Sequence, residues 1–200
     1  MAEQKDRKRQ KRIEILRSAA AAFRRRGYHG ATTQEIADTL RMTKGSLYYY
    51  FRSKEEILFF CHDYSLDILL DLLTRVEGGP QRADDKLREL IAAFVHMIID
   101  ELRGTALTLD LQALSAAHLR AVVAKRDLFD QGLRRILREG MANGLFAPAD
   151  PKLMAFAILG AVNWITRWFD PRGPASSDEI GRAFADYLVA GLKEPAASPR

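Results

Sequence analysis

Two capping boxes stand close together near the N-terminus, Thr32-Thr33-Gln34-Glu35 and Ser53-Lys54-Glu55-Glu56. In each, a hydroxyl is placed to accept the amide three residues on, and a carboxylate at that third position is placed to reach back. The stretch between them has room for a short helix to about Leu40, a tight connection at Arg41-Met42 and a second short helix from about Thr43. Ahead of this pair, Ile13, Leu16, Ala20 and Phe23 follow the spacing i, i+3, i+7, i+10, one face of a helix that ends around Gly27 and Gly30.

Helical period continues through the rest of the chain. Ile57, Cys61, Tyr64, Ile68, Leu72 and Val76 line a helix that runs until Gly78-Gly79-Pro80 breaks it. Leu87, Ile91, Phe94, Ile98 and Leu102 mark the next, interrupted at Gly104. A short segment is expected from about Thr105 to Leu114 and a long helix from about Ala116 to Ala142, closed by Asn143-Gly144. Asp150-Pro151 supplies an N-cap and a first-turn proline for a helix to about Phe169. Ser176-Ser177-Asp178-Glu179 caps the last, whose face is Ile180, Phe184, Tyr187, Leu188 and Gly191. No segment reads as a strand. The expected fold is all-α, about nine helices: a three-helix helix-turn-helix head over residues 1–52 on a larger helical body over residues 53–200.

Charge separates the same two parts. Residues 1–60 hold 14 Lys and Arg against 7 Asp and Glu, while residues 61–200 hold 17 against 19. A basic head on a slightly acidic body points to a polyanion as the head's partner, although a solvated surface also accommodates such charge. Cys61 is the single cysteine, so no internal disulfide forms, as expected in a reducing cytoplasm. Met1 to Arg12 is basic without an apolar core, unlike a secretory signal, and no apolar run is long enough to span a membrane.

The second short helix carries the chemistry. Thr43-Lys44-Gly45-Ser46-Leu47-Tyr48-Tyr49-Tyr50-Phe51 groups four aromatics around a poor helix former, Gly45. A helix that only supported a core would rarely need three adjacent tyrosines. Gly45 lets a partner's backbone come close, and tyrosine hydroxyls bond phosphate while their rings stay partly buried. In a helix-turn-helix the first helix braces the second, and the second lies in the major groove of DNA.

Phe23, Gly27, Thr32-Thr33, Glu35-Ile36-Ala37, Gly45-Ser46-Leu47-Tyr48-Tyr49, Phe51 and Lys54-Glu55 fall at fixed offsets across three helices. On these residues the chain resembles the tetracycline-repressor-like (TetR) family of transcriptional regulators. The family pattern usually has His where Tyr50 stands. The resemblance implies that Thr43, Lys44, Gly45, Ser46 and Tyr49 approach base edges or the adjacent backbone, with Lys44 reading guanine acceptors. It implies that Thr33, Tyr48, Tyr50 and Lys54 hold phosphates. Ile36, Ala37, Leu40, Leu47 and Phe51 are expected to form the head's small core. The arm from Lys5 to Arg12 would add phosphate contacts; Arg24-Arg25-Arg26 would do the same or simply end a helix in solvent.

For the body, the resemblance implies a homodimer on double-stranded operator DNA, paired through the last two helices. Ala157, Gly160 and Ala161 would allow close approach, with Ile158, Ile165, Phe184, Leu188 and Leu192 as apolar contacts; the same residues also suit an intramolecular core. The run Gly160-Ala161-Val162-Asn163-Trp164-Ile165-Thr166-Arg167-Trp168-Phe169 resembles a TetR subgroup responsive to fatty acyl-CoA and related CoA thioesters. In that reading Trp164, Arg167 and Trp168 hold a charged, adenine-bearing head group. Phe94, Met97, Ile98, Leu111, Leu114 and Phe129 would wall the acyl chain, and ordinary core packing explains them equally well.

His29, His62, His96 and His118 are scattered without zinc-ligand spacing, and neither a phosphate loop nor a nucleophile elbow occurs. The chain reads as a non-enzymatic regulator without metal or cofactor, working in the cytoplasm at the nucleoid. The alternative is an architectural or division-type DNA-binding factor of the same fold with no small-molecule effector.

Overall fold

A computed structural model describes residues 2–101 and 110–193. Eight α-helices carry them: α1 (Ala2–Gly30), α2 (Thr33–Thr39), α3 (Lys44–Tyr50), α4 (Lys54–Glu77), α5 (Ala83–His96), α6 (Ala116–Ala142), α7 (Pro151–Trp168) and α8 (Ser177–Ala190). A π-helical turn, Met97–Glu101, extends α5, and no strand occurs among the described residues. The segment expected from Thr105 to Leu114 falls partly outside the described residues. At its end Leu111–Ala113 forms a 3-10 turn, with the Asp110 carboxylate accepting the Gln112 amide at 3.2 Å.

The chain divides into two compact units, one of Met1–Asp67 with Leu102–Lys125 and the other of Ile68–Glu101 with Arg126–Arg200. The boundary expected after residue 52 closes the helix-turn-helix. The compact unit around that motif extends further, taking the first part of α4 and the start of α6.

In the first unit, α1 buries Ile15, Leu16, Ala19, Ala20 and Phe23, with Ile36 and Ala37 of α2, Leu47 of α3 and Phe51 also in the core. Each large side chain so buried contributes about 1.5–3 kcal/mol. Gly27 breaks the helical path of α1 with φ 68° and ψ 168°. The Thr32 hydroxyl accepts the Glu35 amide at 3.1 Å, but the Glu35 carboxylate turns to Arg25 at 2.9 Å instead of closing the box. The Ser53 box is shifted similarly: its hydroxyl accepts the Glu56 amide at 3.0 Å, while Glu56 accepts the Arg52 amide at 2.6 Å.

The same unit fastens the start of α6 to α4. Glu55 accepts the Ser115 amide at 2.9 Å and meets His118 Nδ1 at 2.7 Å, and the His118 ring stacks on Phe59 with centroids 3.9 Å apart. Lys125 donates to Asp63 at 2.5 Å and to Asp67 at 2.6 Å. Burial would raise the Glu55 carboxyl, but the Ser115 and His118 bonds outweigh it and hold the group below its ordinary value.

In the second unit α5 and α8 pack along their length. A Cβ on Gly181 would lie 3.1 Å from the Ala92 carbonyl oxygen, so the two helices approach as closely as small residues permit. Leu87, Leu90, Ile91 and Phe94 of α5 join Val162 and Ile165 of α7 and Val189 of α8 in the core. Asp84, buried at the start of α5, faces Arg82 at 3.2 Å, Arg88 at 3.5 Å and Lys193 at 3.6 Å. Its burial would raise the carboxyl, and the three cations together hold it low. Ser176 and Glu179 close a full capping box at α8, and Asp150 caps α7 through the Lys152 amide at 2.8 Å.

Candidate nucleic-acid interface and effector groove

Helix α3 is held by little of itself. Leu47 is its one buried residue, while Lys44, Gly45, Ser46, Tyr48 and Tyr49 face solvent. The turn before it is set by Arg41 at φ 53°, with the Met42 amide donating to Ala37 O at 3.0 Å. Thr43 caps the helix: its hydroxyl accepts the Ser46 amide at 3.1 Å and lies 2.9 Å from the Ser46 hydroxyl. A Cβ built on Gly45 would meet nothing nearer than Thr43 Oγ1 at 3.8 Å. Nothing inside the chain demands glycine there; the space is open to a partner from outside.

The tyrosines divide between two tasks. The Tyr48 hydroxyl lies 3.4 Å from the Thr33 hydroxyl, linking α3 to the start of α2, and Thr33 itself is buried. Tyr49 is 68% exposed and stands edge-on to half-buried Tyr50, centroids 5.1 Å apart. Lys54 departs from expectation. Its ammonium donates to Tyr28 O at 2.8 Å, Ala31 O at 3.0 Å and His29 O at 3.5 Å, and lies 4.4 Å from the Tyr28 ring. All three of its protons satisfy carbonyls at the end of α1, which leaves none for a phosphate.

The second unit carries an open groove of about 960 Å³. Ile68 and Leu72 of α4, Ala92 and Ala93 of α5 and Met97 make it apolar, while Arg75, Glu89, His96, Asp178 and Arg182 edge it with charge. The outer face of α7 and α8 is a different surface. It exposes Leu153, Phe156, Trp164, Trp168 and Tyr187, with Trp164 at 64% and Tyr187 at 82%. Ala157 and Gly160 lie on the same face, and a Cβ on Gly160 would meet nothing within 4 Å.

Two family models match. One, described as bacterial regulatory proteins, tetR family, covers residues 15–59; the other, described as tetracyclin repressor-like, C-terminal domain, covers residues 80–192, over half of the chain. The chain belongs to the TetR family. It is a transcriptional regulator and not an enzyme. The HTH-type transcriptional repressor KstR2 of Mycolicibacterium smegmatis is 28% identical, spanning 92% of this chain and 91% of that protein. The TetR family regulator PfmR from Thermus thermophilus superposes with a TM-score of 0.81 at 31% identity, over 90% of this chain and 99% of that one. AibR, solved with isovaleryl coenzyme A and operator DNA, superposes with a TM-score of 0.76 at 29% identity, over 92% of this chain and 100% of that one.

Within this TetR fold several residues stand apart from their sequence-based assignments. Ile158, Ile165 and Leu192, expected at a dimer contact, point into the protomer's own core; Phe184 and Leu188 are half-buried and Ala161 is intermediate. Trp164, Arg167 and Trp168, expected around a ligand, are exposed on the outside of α7 and do not line the groove. Of the expected acyl wall, Met97 lines the groove, Ile98 is buried, and Phe94 and Phe129 pack edge to face at 5.6 Å. Leu111 and Leu114 belong to the other compact unit.

Tyr187, expected on the apolar face of the last helix, is exposed, and sequence reasoning missed the exposed Leu153 and Phe156 of α7. The available signal was that α7 is apolar nearly all round, the mark of a helix covered on both sides. Cys61 is fully buried, and burial pushes its thiol far above the ordinary range.

Proposed function

We propose that the chain reads an inverted-repeat operator as a homodimer through α2 and α3, and that a hydrophobic effector, a fatty acyl-CoA or related CoA thioester, releases it. The outer row of α3 carries this reading: Thr43, Lys44, Gly45, Ser46 and Tyr49 face solvent on a helix whose one buried residue is Leu47. In this reading Lys44 reads a base edge, Gly45 admits the backbone, Tyr48 and Tyr50 hold phosphates, and the buried Thr33 supports Tyr48 through its hydroxyl. Lys54 acts by holding the end of α1. Residues 1–52 hold the reading surface and residues 53–200 the effector and pairing surfaces.

One short helix reads too few bases to single out an operator, so two heads must sit about 34–36 Å apart on half-sites one turn apart. The exposed apolar face of α7 and α8 supports pairing there, since a contiguous patch of this kind rarely stays uncovered. For the effector, the groove supplies an apolar floor with Arg75 and Arg182 at its edge. The likeness to AibR, solved with a CoA thioester, favours the same ligand class. Such a regulator works in the cytoplasm at the nucleoid, and no described helix is long and apolar enough to cross a membrane.

Linkage sets the mechanism: an effector favouring one head spacing weakens DNA binding by the factor that DNA weakens effector binding, typically about 5–150-fold. The test is selection of a duplex from a random pool by the full chain, then gel shifts against acyl-CoAs, free fatty acids and aromatic drugs. Release by CoA thioesters alone is expected, and Lys44→Ala should abolish selective binding. Release by none of them would favour the effector-free architectural factor. Equal effector affinity for free and DNA-bound protein, measured by calorimetry, would sink the linkage.

A further inference from the structure

The compact unit that holds α2 and α3 does not end with them. It takes α4 as far as Asp67 and α6 as far as Lys125, and both helices then continue into the second unit. They leave the first unit side by side, because the Lys125 ammonium touches the Asp67 carboxylate.

The two helices are tied at two points. Neighbouring residues in the first turn of α4 hold different partners. Lys54 donates to carbonyls at the end of α1, while Glu55 accepts the Ser115 amide at 2.9 Å and meets His118 Nδ1 at 2.7 Å. Two turns further on, Asp63 and Asp67 share one face of α4, and the Lys125 ammonium donates to both, at 2.5 and 2.6 Å. Burial works against the charge of this ammonium, but the two carboxylates outweigh it and hold the group above its ordinary value. From Glu55 to Asp67 the seam covers about 18 Å of α4. A single helix leaving a three-helix head would let the head swing about its root. A second helix pinned at both ends of such a seam removes that freedom.

We propose that the start of α6 works as part of the DNA-reading head, and that Lys125, gripping Asp63 and Asp67, is the positioning residue that sets which half-site spacing the dimer accepts. The inference rests on the DNA-binding reading above and deepens it. Helices α2 and α3 choose the bases of a half-site, while the clasp of α4 and α6 chooses the distance between half-sites. A partly exposed ion pair adds little to stability, so the clasp acts on geometry rather than on Tm.

The probes are duplexes built on a site selected from a random pool by the full chain. One carries a single half-site; the others carry both, at the selected spacing or with base pairs added or removed between them. One added pair moves a half-site about 3.4 Å along the duplex and turns it by roughly 35°. Wild type should lose on the order of tenfold in affinity for a one-pair change and K125Q no more than about twofold, the two binding the single half-site alike. D63N/D67N should match K125Q. That agreement separates the clasp from bulk electrostatics, under which losing a lysine weakens attraction to DNA and losing two aspartates strengthens it. K125R, which keeps the cation, should restore the wild-type spacing preference. D67N alone alters a carboxylate that is 54% exposed and carries the same comparison should K125Q not fold. K125Q with full spacing discrimination, or opposite shifts in the lysine and aspartate variants, would overturn the clasp. So would a wild type indifferent to spacing on the duplex it selects. Failure of wild type to select any duplex would overturn DNA reading itself, and the clasp with it.

Discussion

Gly27 sits at φ 68° and ψ 168°, a region that residues bearing a Cβ avoid. A Cβ there would meet nothing within 4 Å, so any substitution acts through the backbone alone. Gly27→Ala should therefore cost about 1–3 kcal/mol in urea unfolding, and Gly27→Ser about the same. Wild-type stability in both variants would refute the backbone assignment. In the sequence this glycine was legible as the end of a helix and as one position of the family pattern, but not as a residue at positive φ. Lys54 was legible as a cation at the right place, but its acceptors are three carbonyls more than twenty residues away, which no local pattern reveals.

At the scale of elements, α5 and α8 depend on Gly181. Its missing Cβ leaves 3.1 Å to the Ala92 carbonyl oxygen, a backbone atom that cannot swing aside. Gly181→Ala should destabilise the chain by about 1–3 kcal/mol through overpacking, read as a lower Tm by circular dichroism. The joint of α4 with the start of α6 predicts a pH effect. Glu55 titrates below its ordinary 4.5 in the folded chain, so its contribution is full above that value and fades as acid protonates the folded carboxylate. Glu55→Gln should flatten the acid limb of a stability profile below about pH 4.5 and leave its shape above unchanged; an unchanged acid limb would count against the Ser115 and His118 contacts.

Helix ends were largely legible, because caps are local chemistry: α6 runs from Ala116 to Ala142 and α7 starts at Pro151, as the sequence indicates. Faces were less so. In α7 apolar residues occur on every side, and periodicity alone did not separate the inward Ile158 and Ile165 from the outward Leu153 and Phe156.

At the scale of the whole molecule, the proposed pairing through the exposed face of α7 and α8 would make pairing and DNA reading one problem. Trp164→Glu with Tyr187→Glu should leave the protomer folded, since both side chains are mostly solvent-exposed. The double variant is expected to sediment as a monomer and to lose operator affinity by orders of magnitude, because each head then binds alone. A variant that remained a dimer would move the pairing surface elsewhere.

The single cysteine has a practical consequence. Cys61 is sealed in the core and its thiol stays protonated, so a maleimide should leave the native chain unmodified and label it once in denaturant. The wild-type chain is then already a silent background for site-directed labelling. A cysteine introduced at Ala157 or Gly160 would be the one reactive thiol per protomer. A disulfide, or a short nitroxide–nitroxide separation, at either position would report whether a second copy of the chain covers this face.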